Sequence, residues 1–586
     1  MAIDAISTPE FLYFPNSMIK LLSITAFALS LLGLLALRTL REQPRVQQEI
    51  VAIGCAAPVD PTTLRPDVSG RYAPVFPGWG HYHYPVRTTS DSAQLFFDQG
   101  LSMYYSYHLT EALASFKEAA RQDPGCVMAY WGQALAMGPY YNSYGYKMPA
   151  AVLPVLEQMD RVGSTAAGKE KDLIEAIDAR YSPDTSDAGR TAMNRTYAVK
   201  MADLIRKYPS DPDIKALYVD AVMLEHVWDF WETDGTPKPW TNELVAYCDD
   251  ILKDYPTHPA ALHYQIHLVE ASRHPEKALP NAALLASTMP GVSHMVHMAS
   301  HMYQRSGLYA QGVDINYKAI GLQRRYDSMA PGLKIGLLSL QHFDAVGSFC
   351  AMNANMYQRG HQLALDLRKQ LPASRMSNTF LQYLYMMPVL ASVRSGKWGA
   401  VVAEPQPDSS LCYALALYNF GKGMACVRLH DTVAAGLCLA ALRSLRTKPS
   451  LGIRNLPFNA PFRCAAVAEG ILAGELAYAE GRPEEAIHLL EQAVTAEDEL
   501  IYREPKEWPI PARHYLGACL LKLHKAAEAG QVFQKDLILN PGNGWAYLGL
   551  YQSLVMQHKA DGARKYQVAY TKAFAGADEI PPGAAY

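Results

Sequence analysis

From about Ser92 onward, apolar residues recur at spacings of three and four, and short turns carrying Asp-Pro or Tyr-Pro interrupt them, as at Pro124, Pro209 and Pro256. Such spacing puts apolar side chains on one stripe of an α-helix, and proline closes one helix or opens the next. The pattern predicts an all-α chain of alternating helix and turn over residues 92–575. Three stretches lose the period and are expected to be loops: 229–242, 403–410 and 448–461.

Upstream the pattern differs. Residues 21–37, between Lys20 and Arg38, carry no charge, and as a helix they would span roughly 25 Å, the short limit for a bilayer core. Leu-Arg-Thr-Leu-Arg follows where a cleavable signal needs small residues, so 18–40 reads as an uncleaved transmembrane helix. Arg38, Arg41 and Arg45 downstream, against Lys20 upstream, favour a cytoplasmic body; a start at Met18 would instead resemble an export signal, and the membrane side stays open. The expected organisation is a tail over 1–17, the anchor over 18–40, a Pro-rich extended linker over 41–91, the helical array over 92–575 and a tail over 576–586. The linker ends in an aromatic run that includes His81 and His83, placed there to pack against the end of the array or to cover a site on it.

Within the array, small and aromatic residues return in register: Gly100, Ala112, Phe116, Ala119 and Pro124; then Gly474, Ala486, Leu490 and Ala493; then Gly517, Ala529, Phe533 and Pro541. These positions resemble the tetratricopeptide repeat, a 34-residue antiparallel helix pair. Phe97-Asp-Gln-Gly-Leu together with Ala129-Tyr-Trp-Gly-Gln-Ala is also similar to a bacterial subgroup of such proteins without assigned activity. The resemblance covers most of 92–575. It implies helix pairs stacked into a right-handed superhelix, whose first helices line a concave groove suited to a peptide or partner protein.

Composition excludes more than it identifies. With 49% hydrophobic and 19% charged residues and a net charge of -3 over 586 residues, the chain can bury a large core and has no bulk positive charge, so no nucleic-acid partner is expected. Nine cysteines without a C-x-x-C pair exclude a disulfide scaffold and a haem-attachment run. P-loop, nucleophile-elbow, H-E-x-x-H and dinucleotide-binding signatures are absent as well.

Histidine is the exception to this blandness. Seven of the 18 histidines fall between His258 and His301. His263 and His267 share one helical stripe with Glu270, and His294, His297 and His301 share another. Adding 34 to 263 and 267 gives 297 and 301, so the pairs occupy equivalent places in consecutive repeats. The parallel between Tyr208-Pro-Ser-Asp-Pro and Tyr255-Pro-Thr-His-Pro puts Asp220 level with His267 one unit earlier, which predicts a ladder of Asp220, His267 and His301. Neighbouring repeats bring such rings within reach of one ion, and imidazoles with one or two carboxylates suit zinc, iron, copper or manganese. If that ion were catalytic, Asp220 or Glu270 would be the base. The competing reading is a metal-free adaptor, with histidine serving as an ordinary polar residue of a peptide-binding groove. His258 and His274 read as turn residues. His108, His342 and the pair Glu225-His226 are weaker candidates, and the tyrosines near residues 104–146 suit inter-repeat packing or ligand gripping.

Overall fold

A computed structural model of the chain describes residues 60–141, 146–329, 337–454 and 459–586, without the side chains of 337–339. The expected anchor over 18–40, the tail before it and the first part of the linker lie outside these residues. Among the described residues no helix is long and apolar enough to cross a membrane.

Helix follows helix from Asp91, and no strand forms among the described residues beyond an isolated bridge between Trp231 and Pro237. The first three helices show how pairs are joined: α1 (Asp91–Tyr105), α2 (Leu109–Gln122) and α3 (Val127–Met137). Ser90 caps α1, its side chain accepting from the Ala93 N–H. Gly100 of α1 and Gly132 of α3 both rest on the ring of Phe116 in α2; a Cβ would lie 2.7 Å from that ring at Gly100 and 2.4 Å at Gly132. Gly517 and Gly549 hold the ring of Phe533 in the same way, at 2.3 and 2.4 Å. Glycine therefore lets two first helices close on one aromatic ring of the helix between them, which is tetratricopeptide-type packing. Phe116 is fully buried, so Phe116→Ala is expected to cost about 3–5 kcal/mol. Chemical denaturation would show it, with hydrogen exchange rising first over α1 to α3; an unchanged midpoint would refute this account of the joint.

The linker over 60–90 forms no regular helix or strand and packs onto the array. Phe76 stacks on Tyr326 at 4.6 Å between ring centroids, and its N–H donates to Gln99 Oε1. Gly78 meets Gly291 so closely that a Cβ on Gly291 would sit 1.9 Å from the Pro77 carbonyl oxygen. Of the three predicted loops, 403–410 is non-helical after Ala403, which ends the helix Trp398–Ala403; helix Thr241–Asp254 begins within 229–242, and a short helix, Pro449–Gly452, interrupts 448–461.

The open groove implied by the resemblance is not present at the histidine repeats, because the chain folds back over them. Arg305 donates to the Leu539 carbonyl, and a Cβ on Gly307 would lie 2.4 Å from the Pro541 carbonyl oxygen. Trp545 Nε1 donates to the Asn353 carbonyl at 3.1 Å. C-terminal repeats thus pack against the middle of the array, and the polar face between them becomes interior.

Candidate metal centre

The first histidine helix, α4 (Pro259–Val269), starts at His258, whose Nδ1 accepts the Ala261 N–H. Pro259 sits at the first helical position, where a missing N–H costs nothing. One turn separates His263 from His267. The next repeat supplies α5 (Ser293–His297) and α6 (Ala299–Arg305). Met298 between them keeps helical angles, φ -53 and ψ -27, so His294, His297 and His301 stay on one face. Stacking brings the two faces together: ring centroids lie 4.8 Å apart for His263 and His294, and 5.4 Å for His267 and His301. Behind them runs α7 (Tyr309–Met329), followed by α8 (Leu337–Ala354), which carries His342. Glu504 comes from the non-helical segment between α9 (Pro483–Asp498) and α10 (Ala512–Lys522). Every one of these side chains is buried; the most exposed, Glu504, shows 4% of its surface.

Three groups of donor atoms converge among the described residues; the third, His267, Glu270 and His301, overlaps the other two. In the first, His297, His301, His342 and Glu504 each offer one atom within 4.8 Å of the others. His297 Nε2 lies 3.1 Å from His301 Nε2, and Glu504 Oε2 lies 3.1 Å from His301 Nε2 and 2.9 Å from His342 Nε2. In the second, His263, His267 and His294 converge, with His263 Nε2 and His294 Nε2 3.0 Å apart. Ligands held at about 2.0–2.2 Å from one ion are separated by roughly 3.0–3.4 Å in tetrahedral or octahedral geometry, the range these contacts approach.

Hydrogen bonds on the outer nitrogens fix four of the rings, while His294 Nδ1 is buried without a partner. His263 Nδ1 faces the Tyr105 carbonyl oxygen at 2.7 Å, an atom that only accepts, so the proton resides on Nδ1. His301 Nδ1 donates to Glu270 Oε2 at 2.7 Å, and His267 Nδ1 to Glu270 Oε1 at 3.0 Å. His297 Nδ1 meets Asn316 Oδ1 at 2.6 Å; the Asn316 amide nitrogen donates to the Gly312 carbonyl, which orients the oxygen toward the ring. With protons on these outer nitrogens, the Nε2 atoms of neutral rings turn lone pairs inward, and His267 Nε2 is buried without a hydrogen-bond partner. Where such lone pairs converge, either a metal ion or a ring proton must lie between them; His294, whose Nδ1 has no partner, can supply such a proton to His263 from Nε2. Protonation of the rings is opposed by burial, which pushes His263, His294 and His297 well below the usual imidazole value, reinforced by the neighbouring histidines.

Glu270 joins the two sets, one carboxylate oxygen on a ring of each, and the Tyr502 hydroxyl donates to Oε2 at 3.3 Å. Burial works against its ionised form, but His301 and His267 overcome that and hold it down at about 2. Around the second set lies a shell of tyrosines. Tyr107, at the turn after α1 with a positive φ of 57, places its ring 4.6 Å from His263, and the Tyr141 ring lies 5.2 Å from His267.

Six of the seven sequence-predicted residues meet here: His263, His267, His294, His297, His301 and Glu270. Asp220 does not. Its Oδ2 accepts the Tyr104 hydroxyl at 2.6 Å, and it belongs to none of the converging groups found among the described residues. Tyr104 of α1 takes one oxygen of the carboxylate and leaves Oδ1 buried without a partner, so among the predicted ladder only His267 and His301 converge with each other. Among the weaker candidates, His342 belongs to the first set. His83 pairs with Asp98 at 2.8 Å, His108 with Glu111 at 2.7 Å, and His226 stacks on Trp240. His258 meets the Tyr82 hydroxyl at 3.1 Å and His274 lies beside Glu276. Glu504, Asn316 and Tyr502 escaped sequence reasoning, because nothing in their local spacing connects them with the histidine helices.

No family model matches the chain, and no curated protein does. Several solved helical structures are similar over most of their length. A human IFIT1 dimer with m7Gppp-AAAA has 10% identity and a TM-score of 0.31, covering 84% of this chain and 92% of that one. Yeast Tom70 has 11% identity and a TM-score of 0.27, covering 84% and 91%. The APC/C hetero-tetramer Cut9-Hcn1 has 10% identity and a TM-score of 0.26, covering 84% and 95%. None of these likenesses bears on the histidine cluster. By the way its helix pairs close on shared aromatic rings, the chain has a tetratricopeptide-like helical-repeat fold.

Proposed function

We propose that this repeat protein holds transition-metal ions in its interior, one in the set His297, His301, His342 and Glu504 and one in the set His263, His267 and His294. The reading includes attachment to a membrane through the apolar run 21–37. One observation carries the metal assignment: the outer nitrogens of His263, His267, His297 and His301 are each bonded to an oxygen acceptor, while their inner nitrogens converge. Metal-bound histidines are built this way, the outer bond fixing tautomer and ring direction. Three imidazoles with one carboxylate, and three imidazoles alone, suit zinc, iron, copper or manganese.

Glu270 then acts from the second shell, where the sequence placed it among the ligands. Three nitrogen ligands also leave the second set a coordination position for water or a small molecule, as in catalytic sites. The adaptor reading finds no footing at these residues: rings with at most 3% of their surface exposed are beyond the reach of a docking peptide. A protein partner for the outer faces of the array remains part of the proposal, as scaffolds of stacked helix pairs commonly have one.

Elemental analysis of the purified chain tests the assignment. Near-stoichiometric transition metal is expected at each set, with one ion lost in a His297→Ala, Glu504→Ala variant and the other in a His263→Ala, His294→Ala variant. Metal-free protein that takes up none from a buffered supply would leave a protonated His301 between Glu270 and Glu504 as the source of the positive charge, and would overturn the proposal.

A further inference from the structure

Beside the histidine cluster, separated from it by Tyr502 and Arg305, lies a cavity of about 1030 Å³. Its apolar wall includes Trp228, Trp231 and Trp508. Three cations that also line it, Arg273, Arg305 and Lys506, have no carboxylate directly bonded to them. Arg305 donates to the carbonyls of Glu270, Ser272 and Leu539. Arg273 donates to the carbonyls of Thr233 and Asp234, and Lys506 to the side-chain oxygen of Asn540.

Acidic residues also line the cavity, but they are engaged elsewhere. Asp498 takes Arg513 in a two-pronged pair at 2.7 and 2.6 Å. Asp229 and Glu232 take Lys238 at 3.3 and 2.6 Å. Glu507 accepts from Asn459 at 2.6 Å and lies 3.4 Å from Arg503, while the Asp234 carboxylate accepts the Thr236 N–H. Glu497, close to Lys506, accepts the Ala512 N–H at 2.7 Å, and burial raises it to about 7. Asp536, which also faces Lys506, is paired with His514 at 3.0 Å. Burial lowers Lys506 to about 8, and Arg305 and Arg273 reinforce the shift, a sign of like charges crowded together.

We infer that this cavity binds a small organic oxyanion, its phosphate or carboxylate held by Arg273, Arg305 and Lys506 and its apolar body against the tryptophans. Arginine forks and a lysine point charge are the groups suited to such oxygens, and a partly enclosed wall strengthens them relative to water. Indole faces supply the non-polar remainder that a drug-sized cavity requires. The inference stands apart from the metal assignment, since no metal-set residue lines the cavity.

Calorimetric titration of the full chain, stripped of metal by a chelator that is then removed, provides the test. Phenyl phosphate, benzoate and inorganic phosphate serve as probes. Phenyl phosphate or benzoate is expected to bind at least tenfold more tightly than inorganic phosphate, and the preferred one identifies the head group. Arg273→Gln with Lys506→Gln should weaken that binding at least tenfold, whereas Lys535→Gln on the exposed rim should leave it within twofold. Arg305 is spared because it also supports Glu270. Equal binding by the double variant with unchanged melting temperature would overturn the inference, as would failure of all three probes at millimolar concentration. If the double variant proves unstable, Trp231→Ala replaces it and must weaken phenyl phosphate more than inorganic phosphate.

Discussion

Replacing Glu270 by Gln is expected to weaken metal binding at both sets at once, by roughly 10–100-fold each. The carboxylate uses one oxygen for His267 Nδ1 and the other for His301 Nδ1. Glutamine has nearly the same shape but one oxygen and one amide nitrogen, so one of the two rings would face a donor with its own N–H. That ring must turn or change tautomer, and its inner nitrogen loses the lone pair that the ion needs. The other set suffers because a neutral amide is a poorer acceptor than a carboxylate for the remaining ring, and it does less to raise that ring's basicity. Competition with a calibrated chelator measures both affinities. His342→Ala should weaken only the first set, and Tyr502→Phe should have a small effect on either. A Glu270→Gln protein with one site intact would show that the two sets are independent, and the bridging role would fall.

Chelation should destabilise the chain by a comparable amount. An ion present at about a thousand times its dissociation constant contributes about 4 kcal/mol, which at roughly 2 °C per kcal/mol for a large domain lowers the melting temperature by about 8 °C. Acidification should deepen the loss. In the folded chain His263, His294 and His297 lie below the ordinary 6.5, so near that pH the unfolded chain binds more protons than the folded one. Their contribution is complete above pH 6.5 and is lost as pH falls below it. Glu270 behaves in the same direction at lower pH: held at about 2 against an ordinary 4.5, it contributes fully above 4.5 and loses that contribution as pH falls toward 2. Melting curves of chelated and reloaded protein between pH 8 and about 3 check both statements. Identical curves, or an apo form that gains stability on acidification, would contradict them.

The two hydrogen bonds of Glu270 arise at different levels of the fold. Glu270 lies at i+3 from His267, so its first hydrogen bond is local and could be anticipated from the helix. Its second, to His301, crosses between repeats and exists only because α4 and α6 pack together. The sequence expectation that Glu270 is itself a ligand follows from stripe geometry alone. In the structure both its oxygens accept from ring N–H groups, and the same carboxylate converges with His267 and His301.

Asp220 illustrates how a distant helix enters the picture. The parallel between Tyr208-Pro-Ser-Asp-Pro and Tyr255-Pro-Thr-His-Pro puts it on a helix one unit earlier, and it lies on the helix Pro212–Glu225. Repeat equivalence places backbones, however, not the side chains of an unrelated helix that reaches the same space. Tyr104 of α1 reaches it and binds the carboxylate. The positive-φ turn at Tyr107, which tips that ring over the histidines, was equally invisible, because a bulky residue there is disfavoured locally and is held by its surroundings.

The sequence by itself determined what depends on neighbours along the chain: helices from three-and-four spacing, the tetratricopeptide register from its glycines and aromatic rings, and the equivalence of His263 and His267 with His297 and His301. Those features follow from helical pitch and a fixed repeat length. Only the tertiary structure decided that His342 and Glu504 complete the first set, that the histidine face is sealed rather than open, and that an oxyanion-sized cavity adjoins it. Each of these depends on segments distant along the chain meeting where C-terminal repeats fold back on the middle of the array, and no periodicity encodes how far a stack curves before it touches itself.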